Sequence, residues 1–436
     1  MLELSLGSVF AHRFVIEKRM QSGGMGLIFR ARDRQTNRAV ALKLLQRESN
    51  STEVDRFMSE ARTLSELRHP AIVSYIAHGM SSEGQAYLVM EWLEGEDLAQ
   101  RLRRMRMVLP EIVTLLGCVA SALQVAHQAG VVHRDIKPSN LFLRNGQIDQ
   151  VTLIDFGLAR RIIGGSQASH TGVVVGTPEY MAPEQARGDR HVGPSADIFS
   201  LGCVIYECLT GQPPFVSEHI AAVLAKILFE EAPPLNIIQP ELPESVCKLV
   251  ARMLAKNPGA RISDATALLG ELDTLGEIPV DPKSVRMGSS TGTFEMAGTE
   301  QVLVSVVIAQ SRDSRQADRT TLDPMQGAIA QTQNASVRDA LVMLGVTVEC
   351  MVDGSLIATI VRQGAATDQT IHAARCALLI KDRWPDAVVA LGTGRAVLDG
   401  TAILGEVLGR VGMMLETVQD LPGLAQTAVR IDDTTG

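Results

Sequence analysis

The chain has 436 residues and a formal net charge of −8, a length that exceeds one ordinary domain and accommodates two or three. The acidic balance argues against a nucleic acid or an anionic membrane as the main ligand. With 46% hydrophobic and 21% charged residues, the composition excludes a wholly disordered, collagenous or coiled-coil chain.

The cysteines and the N-terminal segment indicate the compartment. Six cysteines are widely scattered, with no C-x-x-C pair and no histidine at metal-ligand spacing, which favours free thiols in a reducing compartment. Residues 1–10 have no basic segment before an apolar run, and no later stretch approaches the roughly 18 apolar residues of a membrane span. The sequence therefore predicts a cytoplasmic protein with no membrane span.

Residues 12–275 divide into a β-rich part followed by a helical part. Apolar runs alternate with Gly and polar clusters in residues 12–48 and 71–93, which predicts antiparallel strands. Apolar residues at helical spacing predict a helix between the two strand groups. The predicted helices are Thr52–Leu67, Leu109–Gln128, Asp197–Thr210 and Ile220–Leu228.

A change of composition near residue 275 separates a second unit. Residues 276–300 are rich in Pro, Gly, Ser and Thr and predict a flexible linker. An Asp-Gly pair at Asp353 and Gly354 predicts a hairpin turn. The other predicted elements are strands at Val302–Ile308, Val346–Val352, Leu356–Val361 and Ala387–Gly392, with helices at Val337–Leu344 and Thr370–Arg383. Residues 301–436 therefore predict a second α/β domain.

Two features of the first strands are weak signals on their own. Gly23, Gly24 and Gly26 lie in the first turn, where glycines bring backbone N–H groups close to phosphate oxygens or form an ordinary tight turn. Lys43 stands on the apolar strand 40–43, and Glu60 on the next helix could hold its ammonium group. Most strand lysines face solvent, and an unpaired Glu60 would be an ordinary solvated helix residue.

The loop at residues 132–140 carries the strongest signal. It places Asp135, Lys137 and Asn140 within six residues between apolar segments. A loop that only connects core elements does not need so many charged and amide side chains. A second carboxylate, Asp155, follows an apolar strand and precedes Phe156 and Gly157. These segments match the H-R-D and D-F-G motifs of protein kinases.

Residues 12–275 resemble the bacterial eukaryotic-like (Hanks-type) Ser/Thr protein kinases. Further motifs in the family's order are Gly-Thr-Pro-Glu-Tyr-Met-Ala-Pro-Glu at 176–184, Asp-Ile-Phe-Ser-Leu-Gly at 197–202, and Arg261. The resemblance implies an α+β, bilobal kinase fold with a β-rich N-lobe and a helical C-lobe. It implies ATP-dependent phosphorylation of Ser/Thr hydroxyls on protein substrates in bacterial signal transduction.

The resemblance also implies cofactors and residue roles. Lys43 is expected to contact the α- and β-phosphates of ATP and to be anchored by Glu60. Asn140 and Asp155 are expected to hold Mg²⁺, which prefers oxygen ligands.

Asp135 is expected to orient the attacking hydroxyl and accept its proton. Lys137 is expected to neutralise charge on the transferring phosphoryl group.

Further roles in nucleotide binding follow from the same resemblance. Glu91, Trp92 and Leu93 are expected to form the hinge, with Met90 as gatekeeper and Asp97 either at the ribose hydroxyls or as a helix cap. The side chains expected around the adenine are Ile28, Ala41 and Phe142. His133, Phe156, Leu64 and Tyr75 are expected to stack as a spine that joins the lobes.

Regulation is predicted from the segment between Asp155 and Glu184. Arg134 is expected to receive an activation-loop phosphate. Thr171 is the first phosphosite candidate and Ser169 the second, whereas Thr177 is expected to bond Asp135 and Lys137. Glu184 is expected to form a buried ion pair with Arg261.

One departure from the family pattern leaves an alternative open. Gln21 stands where the family has its first loop glycine. The alternative to an active kinase is a nucleotide-binding pseudokinase scaffold.

Residues 301–436 more weakly resemble class III adenylate/guanylate cyclase domains. The resembling segments are 302–308, 390–397 and 405–410. Ala309 and Gln310 follow the first strand where active cyclases carry a metal-binding aspartate, and Asp353 either takes the second metal position or forms the turn. We expect a non-catalytic module for homodimerisation or sensing. The family's domain continues beyond the position of Gly436, so we expect an incomplete domain and a fragment of a longer polypeptide.

Overall fold

The computed structural model describes fifteen stretches of the chain. They are residues 5–20, 27–44, 58, 61–81, 84–156, 178–189, 191–217, 220–274, 301–311, 336–361, 366–399, 402–404, 407–416, 428–432 and 435.

The N-terminal part forms a six-stranded antiparallel sheet with the spatial order β1-β2-β3-β4-β6-β5. Its strands are β1 (Val9–Phe10), β2 (Phe14–Arg19), β3 (Leu27–Asp33), β4 (Ala39–Leu44), β5 (Tyr75–Met80) and β6 (Ala86–Glu91). Alternate residues of β2 are buried, as a half-buried strand requires. The predicted strands in 12–48 and 71–93 are thus confirmed, and residues 61–66 of the predicted helix are helical.

The part of the chain that follows this sheet forms a helical lobe, with a small sheet at its border with the N-terminal sheet. The sheet has the order β7-β8-β9, formed by β7 (Gly95–Asp97), β8 (Leu141–Arg144) and β9 (Val151–Leu153). The helices are α1 (Leu98–Arg104), α2 (Leu109–Gln128), α3 (Pro183–Ala186), α4 (Ser195–Thr210), α5 (Ile220–Phe229), α6 (Leu235–Ile238), α7 (Glu244–Met253) and α8 (Ala265–Thr274). The predicted bounds of α2 are confirmed, and α4 and α5 differ from prediction by one or two residues at one end.

Helix α2 shows that one stretch of the chain does reach the length of an apolar membrane span, contrary to the expectation from the sequence. By length and composition it is the one helix among the described residues that could cross a membrane. In this structure it packs against α4 and α8. Its buried side chains are Ile112, Leu115, Leu116, Val119, Ala120, Ala122, Leu123 and Ala126. The apolar length of α2 is therefore explained by its place at the centre of the helical lobe.

Residues 301–432 contain a second sheet with the order β11-β12-β10-β13-β14, and β15 pairs in parallel with β13. The elements are β10 (Gln301–Ser311), β11 (Thr347–Cys350), β12 (Leu356–Ile360), α9 (Ala366–Arg383), β13 (Ala387–Asp399), β14 (Ala402–Leu404), α10 (Val407–Glu416) and β15 (Arg430–Ile431), with residues 336–343 also helical. The hairpin predicted at Asp353 and Gly354 is confirmed, with Gly354 at φ +79°. Strand β13 extends beyond its predicted end because it pairs with the whole of β10.

Both faces of β10, the central strand of this second sheet, are buried. On β10, Val307 and Ala309 pack in one core with residues of α9, whereas Val306 and Ile308 belong to a core that includes residues of α10. This division follows from the period of two along a strand. The core on the α10 side is continuous with the core of the helical lobe.

Asp33 gives the N-lobe sheet a measurable pH dependence. Its buried carboxylate accepts hydrogen bonds from Arg13 Nε at 2.8 Å and Arg13 Nη2 at 2.7 Å. These bonds, with those from Gln35 N and Thr36 Oγ1, lower the pKa of Asp33 to about 2.

We expect the Asp33 contribution to stability to be complete above pH 4 and to be lost as the pH falls from about 4 to 2. The reason is that the unfolded chain binds a proton at Asp33 in this window before the folded chain does. Urea unfolding followed by circular dichroism between pH 6 and pH 2 measures this. Asp33→Asn should lower stability at pH 6 and flatten the acid limb, whereas Asp273→Asn, at an exposed position, should retain the native slope. An unchanged acid limb in Asp33→Asn would contradict the assignment.

Candidate active site

The 132–140 loop is held by the buried carboxylate of Asp197, in the first turn of α4. Asp197 Oδ2 accepts the backbone N–H of His133 at 2.8 Å, and Asp197 Oδ1 accepts that of Arg134 at 2.7 Å. The ring of His127 lies 2.9 Å from Asp197 Oδ2. Arg134 has φ +65°, a conformation that costs energy for a residue with a side chain and needs support from its surroundings.

Asp135 lies in the middle of three side chains that the sequence singled out. Its Oδ2 accepts hydrogen bonds from Lys137 Nζ at 2.9 Å and from Asn140 Nδ2 at 2.9 Å. Asn140 Nδ2 also donates to the backbone oxygen of Asp135 at 2.7 Å. The short 3₁₀ helix Pro138–Asn140 turns the chain so that Asn140 comes back to Asp135. The carboxylate is therefore fixed in direction before any ligand binds.

Asp155 joins the two lobes through Lys43. Lys43 Nζ on β4 donates to Asp155 Oδ1 at 2.8 Å, and Asp155 has φ +55°. Burial of Asp155 opposes its ionisation, but the charge of Lys43 outweighs this and lowers the pKa of Asp155 below its ordinary value. The N–H of Ile154 donates to the backbone oxygen of Asn140 at 3.0 Å, which places Asp155 beside the loop that carries Asn140.

His133 has a packing role in this structure. Its ring lies 4.5 Å from the ring of Phe156, centroid to centroid, and its Nε2 is 3.1 Å from the carbonyl oxygen of Ile154. Burial lowers the pKa of His133, which favours a neutral ring. Tyr75 bonds to the backbone of Phe156, and Leu64 lies in the same core. The predicted contact of His133 with Phe156 is confirmed.

Asn140 and Asp155 fit a Mg²⁺ ion by the chemistry of their donor atoms. Both hydrogen bonds described for the Asn140 side chain use its nitrogen, which leaves the amide oxygen for a cation. Asp155 supplies carboxylate oxygens, the ligands that Mg²⁺ prefers. Within the described residues, no group of three or more His, Cys, Asp or Glu side chains is placed to hold a metal ion.

The strands at the cleft place the residues predicted around the adenine. Ala41 on β4 is paired with Met90 on β6, and Ile28 on β3 is paired with Lys43. Phe142 on β8 is paired with Asp97, so it approaches from the C-lobe. These predicted residues therefore come from three strands of the N-lobe sheet and from the small sheet opposite.

Glu91 has a structural partner that sequence reasoning missed. Its carboxylate accepts Arg144 Nη1 at 3.0 Å, Arg144 Nη2 at 2.8 Å and the backbone N–H of Ser74 at 2.8 Å. Burial opposes the ionisation of Glu91, but the bonds from Arg144 lower its pKa. The side chain of Glu91 therefore fastens the hinge to β8.

Asp97 caps helix α1. Its Oδ1 accepts the backbone N–H of Gln100 at 2.8 Å, the bond that a helix N-cap makes. The capping alternative is thus confirmed, and contact of Asp97 with ribose stays a prediction. Leu93 lies in the connection between β6 and β7, and its predicted contact with the nucleotide also stays a prediction.

The predicted ion pair between Glu184 and Arg261 is confirmed. Arg261 Nη1 and Nη2 lie 2.9 Å and 3.2 Å from the two carboxylate oxygens of Glu184, and both side chains are buried. The next residue, Gln185, donates from Nε2 to the backbone oxygen of Arg134 at 2.9 Å. Helix α3 is therefore bonded to the chain one residue before Asp135.

Several predicted site residues lie outside the described residues. They are Gln21, Gly23, Gly24, Gly26, Glu60, Ser169, Thr171 and Thr177. Their predicted roles stay predictions.

Comparison with known families gives a match across this whole arrangement. Residues 14–271 match the family model described as "Protein kinase domain". The chain belongs to this family. The kinase family accounts for the bilobal arrangement of the β-rich and helical parts, and for the order of the motifs at Asp135, Asp155 and Glu184.

Curated relatives match the same part of the chain. Serine/threonine-protein kinase pkn3 of Myxococcus xanthus is 36% identical over 296 residues, which are 65% of this chain and 53% of the relative. Serine/threonine-protein kinase PknA of Mycobacterium tuberculosis is 39% identical over 263 residues, which are 59% of each chain. A probable serine/threonine-protein kinase of Clostridium perfringens is 34% identical over 278 residues, 63% of this chain and 40% of the relative. The chain spans about half the length of the curated relatives it matches.

We expect Glu184→Ala to lower the free energy of unfolding of the kinase domain by about 3–5 kcal/mol, because it leaves the guanidinium of Arg261 buried without its counter-ion. Urea unfolding at pH 7 measures the loss. The matched control is Glu244→Ala, which removes an exposed ion pair with Lys248 and should leave the midpoint unchanged. Equal effects of the two substitutions would contradict the structural role of the buried pair.

Proposed function

We propose that residues 12–275 transfer the γ-phosphoryl group of ATP to Ser and Thr hydroxyls of proteins, as a signalling kinase of bacterial type. The observation that carries this is the pair of fixed carboxylates. Asp135 is oriented by Lys137 and Asn140, and Asp155 is held by Lys43. This arrangement suits a reaction in which positioning and charge stabilisation supply most of the catalysis.

Asp135 is the proposed acceptor of the hydroxyl proton. Its Oδ2 accepts hydrogen bonds from Lys137 and Asn140, which fix the direction of the carboxylate proposed to orient the attacking hydroxyl. Lys137, which donates to Asp135 at 2.9 Å, is proposed to neutralise charge on the transferring phosphoryl group. Lys43 is the proposed contact of the α- and β-phosphates, with Glu60 as its second anchor.

Asn140 and Asp155 are the proposed holders of Mg²⁺. When bound, the ion would neutralise charge on the phosphate oxygens. The residues proposed to line the nucleotide site are Gly23, Gly24, Gly26, Ile28, Ala41, Met90, Glu91, Leu93, Asp97 and Phe142.

Autophosphorylation of the segment between Asp155 and Glu184 is the proposed regulatory step. Thr171 is the first candidate acceptor and Ser169 the second. Arg134 is the proposed receiver of the phosphate, because its backbone is fixed by Asp197 and Gln185 and its side chain carries a guanidinium, which donates to the backbone oxygen of Val192 at 3.2 Å.

We propose that residues 301–436 form a cyclase-like module without cyclase activity, for homodimerisation or sensing. Ala309 is paired with Leu356, so residues 309 and 310 lie at the same end of the sheet as Asp353. Asp353 is buried and its Oδ1 accepts the N–H of Ser355 at 2.9 Å, which is a turn-forming bond. Residues 309 and 310 therefore supply no carboxylate at the first-strand position, where a two-carboxylate metal site would need one.

A cytoplasmic location is part of the proposal. All six cysteines are free, as expected in a reducing compartment, and ATP is available there. Residues 276–300 are proposed as the linker between the two domains.

We expect label from the γ-phosphate of ATP to enter this protein in the presence of Mg²⁺, and Asp135→Asn to reduce the rate about 100-fold or more, because the aimed proton acceptor is lost. Incorporation of radioactive phosphate over time measures the rate. Asp149→Asn, at an exposed position in the same lobe, is the matched control and should retain the native rate.

Incorporation of label separates the alternatives when it is combined with thermal unfolding in ATP and Mg²⁺ and with an assay for cyclic nucleotides. A pseudokinase scaffold would be stabilised thermally by ATP and Mg²⁺ without incorporating label, which is the outcome that Gln21 would explain. Equal incorporation by the native chain and Asp135→Asn would contradict the proposed role of Asp135. Formation of cyclic AMP or cyclic GMP would overturn the non-catalytic interpretation of residues 301–436.

A further inference from the structure

Helix α5 of the C-lobe is apolar on every side. Of the residues of α5, only Lys226 is charged, and eight of the ten side chains are buried. A helix on the surface of a domain normally carries a polar face toward solvent. A helix of this composition must therefore be buried by other elements of the protein on two sides.

The C-terminal domain buries the second side of α5. On one side α5 contacts α3 and the turn Pro178–Tyr180, and on the other side it contacts α10 and β14. The approach to α10 is close, since a Cβ atom added to Gly412 would lie 2.7 Å from the Cβ of Ala222. Ala222 has no exposed surface. The outer side of α5 and the Gly412 side of α10 thus meet with almost no side chain between them.

The β11–β12 hairpin makes a second contact with the C-lobe. The N–H of Val352 donates to the backbone oxygen of Ala186, at the end of α3, at 3.0 Å. Glu349 on β11 lies 3.7 Å from Arg187, oxygen to nitrogen. Met351 of the hairpin is buried in the same core as the C-lobe. The interface therefore combines apolar packing, a backbone hydrogen bond and an ion pair.

This interface lies next to the loop that carries Asp135. Gln185, the neighbour of Ala186, is hydrogen-bonded to the backbone oxygen of Arg134. The hairpin is bonded to Ala186, so a folded protein whose hydroxyl approached Asp135 along α3 would meet the hairpin. Several residues proposed to line the nucleotide site (Ile28, Ala41, Met90, Glu91, Asp97 and Phe142) lie on strands of the N-lobe sheet and the small sheet, whereas the main contacts of α5 are with α3, the turn Pro178–Tyr180, α10 and β14.

We propose that α5 and the α3–Arg187 segment form a docking surface for the chain's own C-terminal domain, and that docking restricts the approach of folded protein substrates to Asp135. The restriction rests on the proposed kinase function, whereas the docking itself does not. Release of the C-terminal domain opens the substrate side of the cleft and leaves ATP binding unchanged.

Two glycines of α10 provide a matched pair of variants. Gly412→Gln places a polar side chain against Ala222, where a Cβ atom already has no room. Gly409→Gln makes the same change at a position with open space around it. As a second route, Glu349→Arg opposes Arg187 with a like charge, and Glu349→Arg combined with Arg187→Glu restores the attraction. The charge exchange keeps the proposal testable if Gly412→Gln does not fold.

Docking and transfer are measured separately on the full chain. Small-angle X-ray scattering gives the radius of gyration, which should rise in Gly412→Gln and Glu349→Arg and stay native in Gly409→Gln and the charge-exchanged double variant. Phosphorylation in trans uses an Asp135→Asn copy of this chain as the folded acceptor and a peptide of residues 166–177 as the small acceptor. Undocked variants should phosphorylate the folded acceptor about fivefold faster or more, with a smaller change for the peptide and an unchanged KM for ATP.

Each result bears on a different claim. An unchanged radius of gyration in both undocking variants would overturn the docking surface. A larger radius with an unchanged or slower rate on the folded acceptor would overturn the restriction of access. A larger radius with no transfer by any variant, the native chain included, would overturn the proposed kinase function and the restriction that depends on it.

Discussion

The carboxylate of Asp197 is the constraint on which the active-site arrangement depends. It is fully buried, and a buried charge is costly unless its oxygens are satisfied. Two backbone N–H groups of the 132–140 loop and the ring of His127 satisfy it. Because these bonds hold the loop, Arg134 keeps its strained backbone conformation, and the direction of the Asp135 side chain is fixed. The chemistry proposed for Asp135 therefore depends on a residue more than 60 positions later in the chain.

Two further charge pairs bring the lobes together around this loop. Lys43 of the N-lobe reaches Asp155, and Arg144 of the C-lobe holds Glu91 in the hinge. Each pair crosses between elements that do not share a sheet or helix. The cleft is thus assembled from both lobes, so that neither lobe alone contains the proposed nucleotide site.

Local patterns predicted those features that neighbouring residues determine. Helix α2 was predictable to the residue because apolar residues recur at helical spacing along its whole length after Leu109. The turn at Asp353 and Gly354 was predictable because few residue pairs suit it. The cluster of Asp135, Lys137 and Asn140 was predictable because those residues lie within six positions of one another.

Features set by distant residues were harder to predict. The bond between Arg144 and Glu91 joins positions 53 apart, and an arginine on a strand carries no local sign of its partner. An acidic residue at the start of a helix suits either a helix cap or a ribose contact, and only the bond to Gln100 N shows that Asp97 caps α1. Docking of the C-terminal domain had one sign in the sequence, which is the lack of a polar face on α5. The sequence of α5 does not indicate which part of the chain buries its second side.

The most direct measurement is mass-spectrometric mapping of phosphorylated residues after the native chain is incubated with ATP and Mg²⁺. The account predicts phosphate on Ser or Thr residues of the segment between Asp155 and Glu184, with Thr171 first and Ser169 second. It predicts no such sites in Asp135→Asn incubated alone. A native chain that binds ATP and carries no phosphorylated residue would contradict the account.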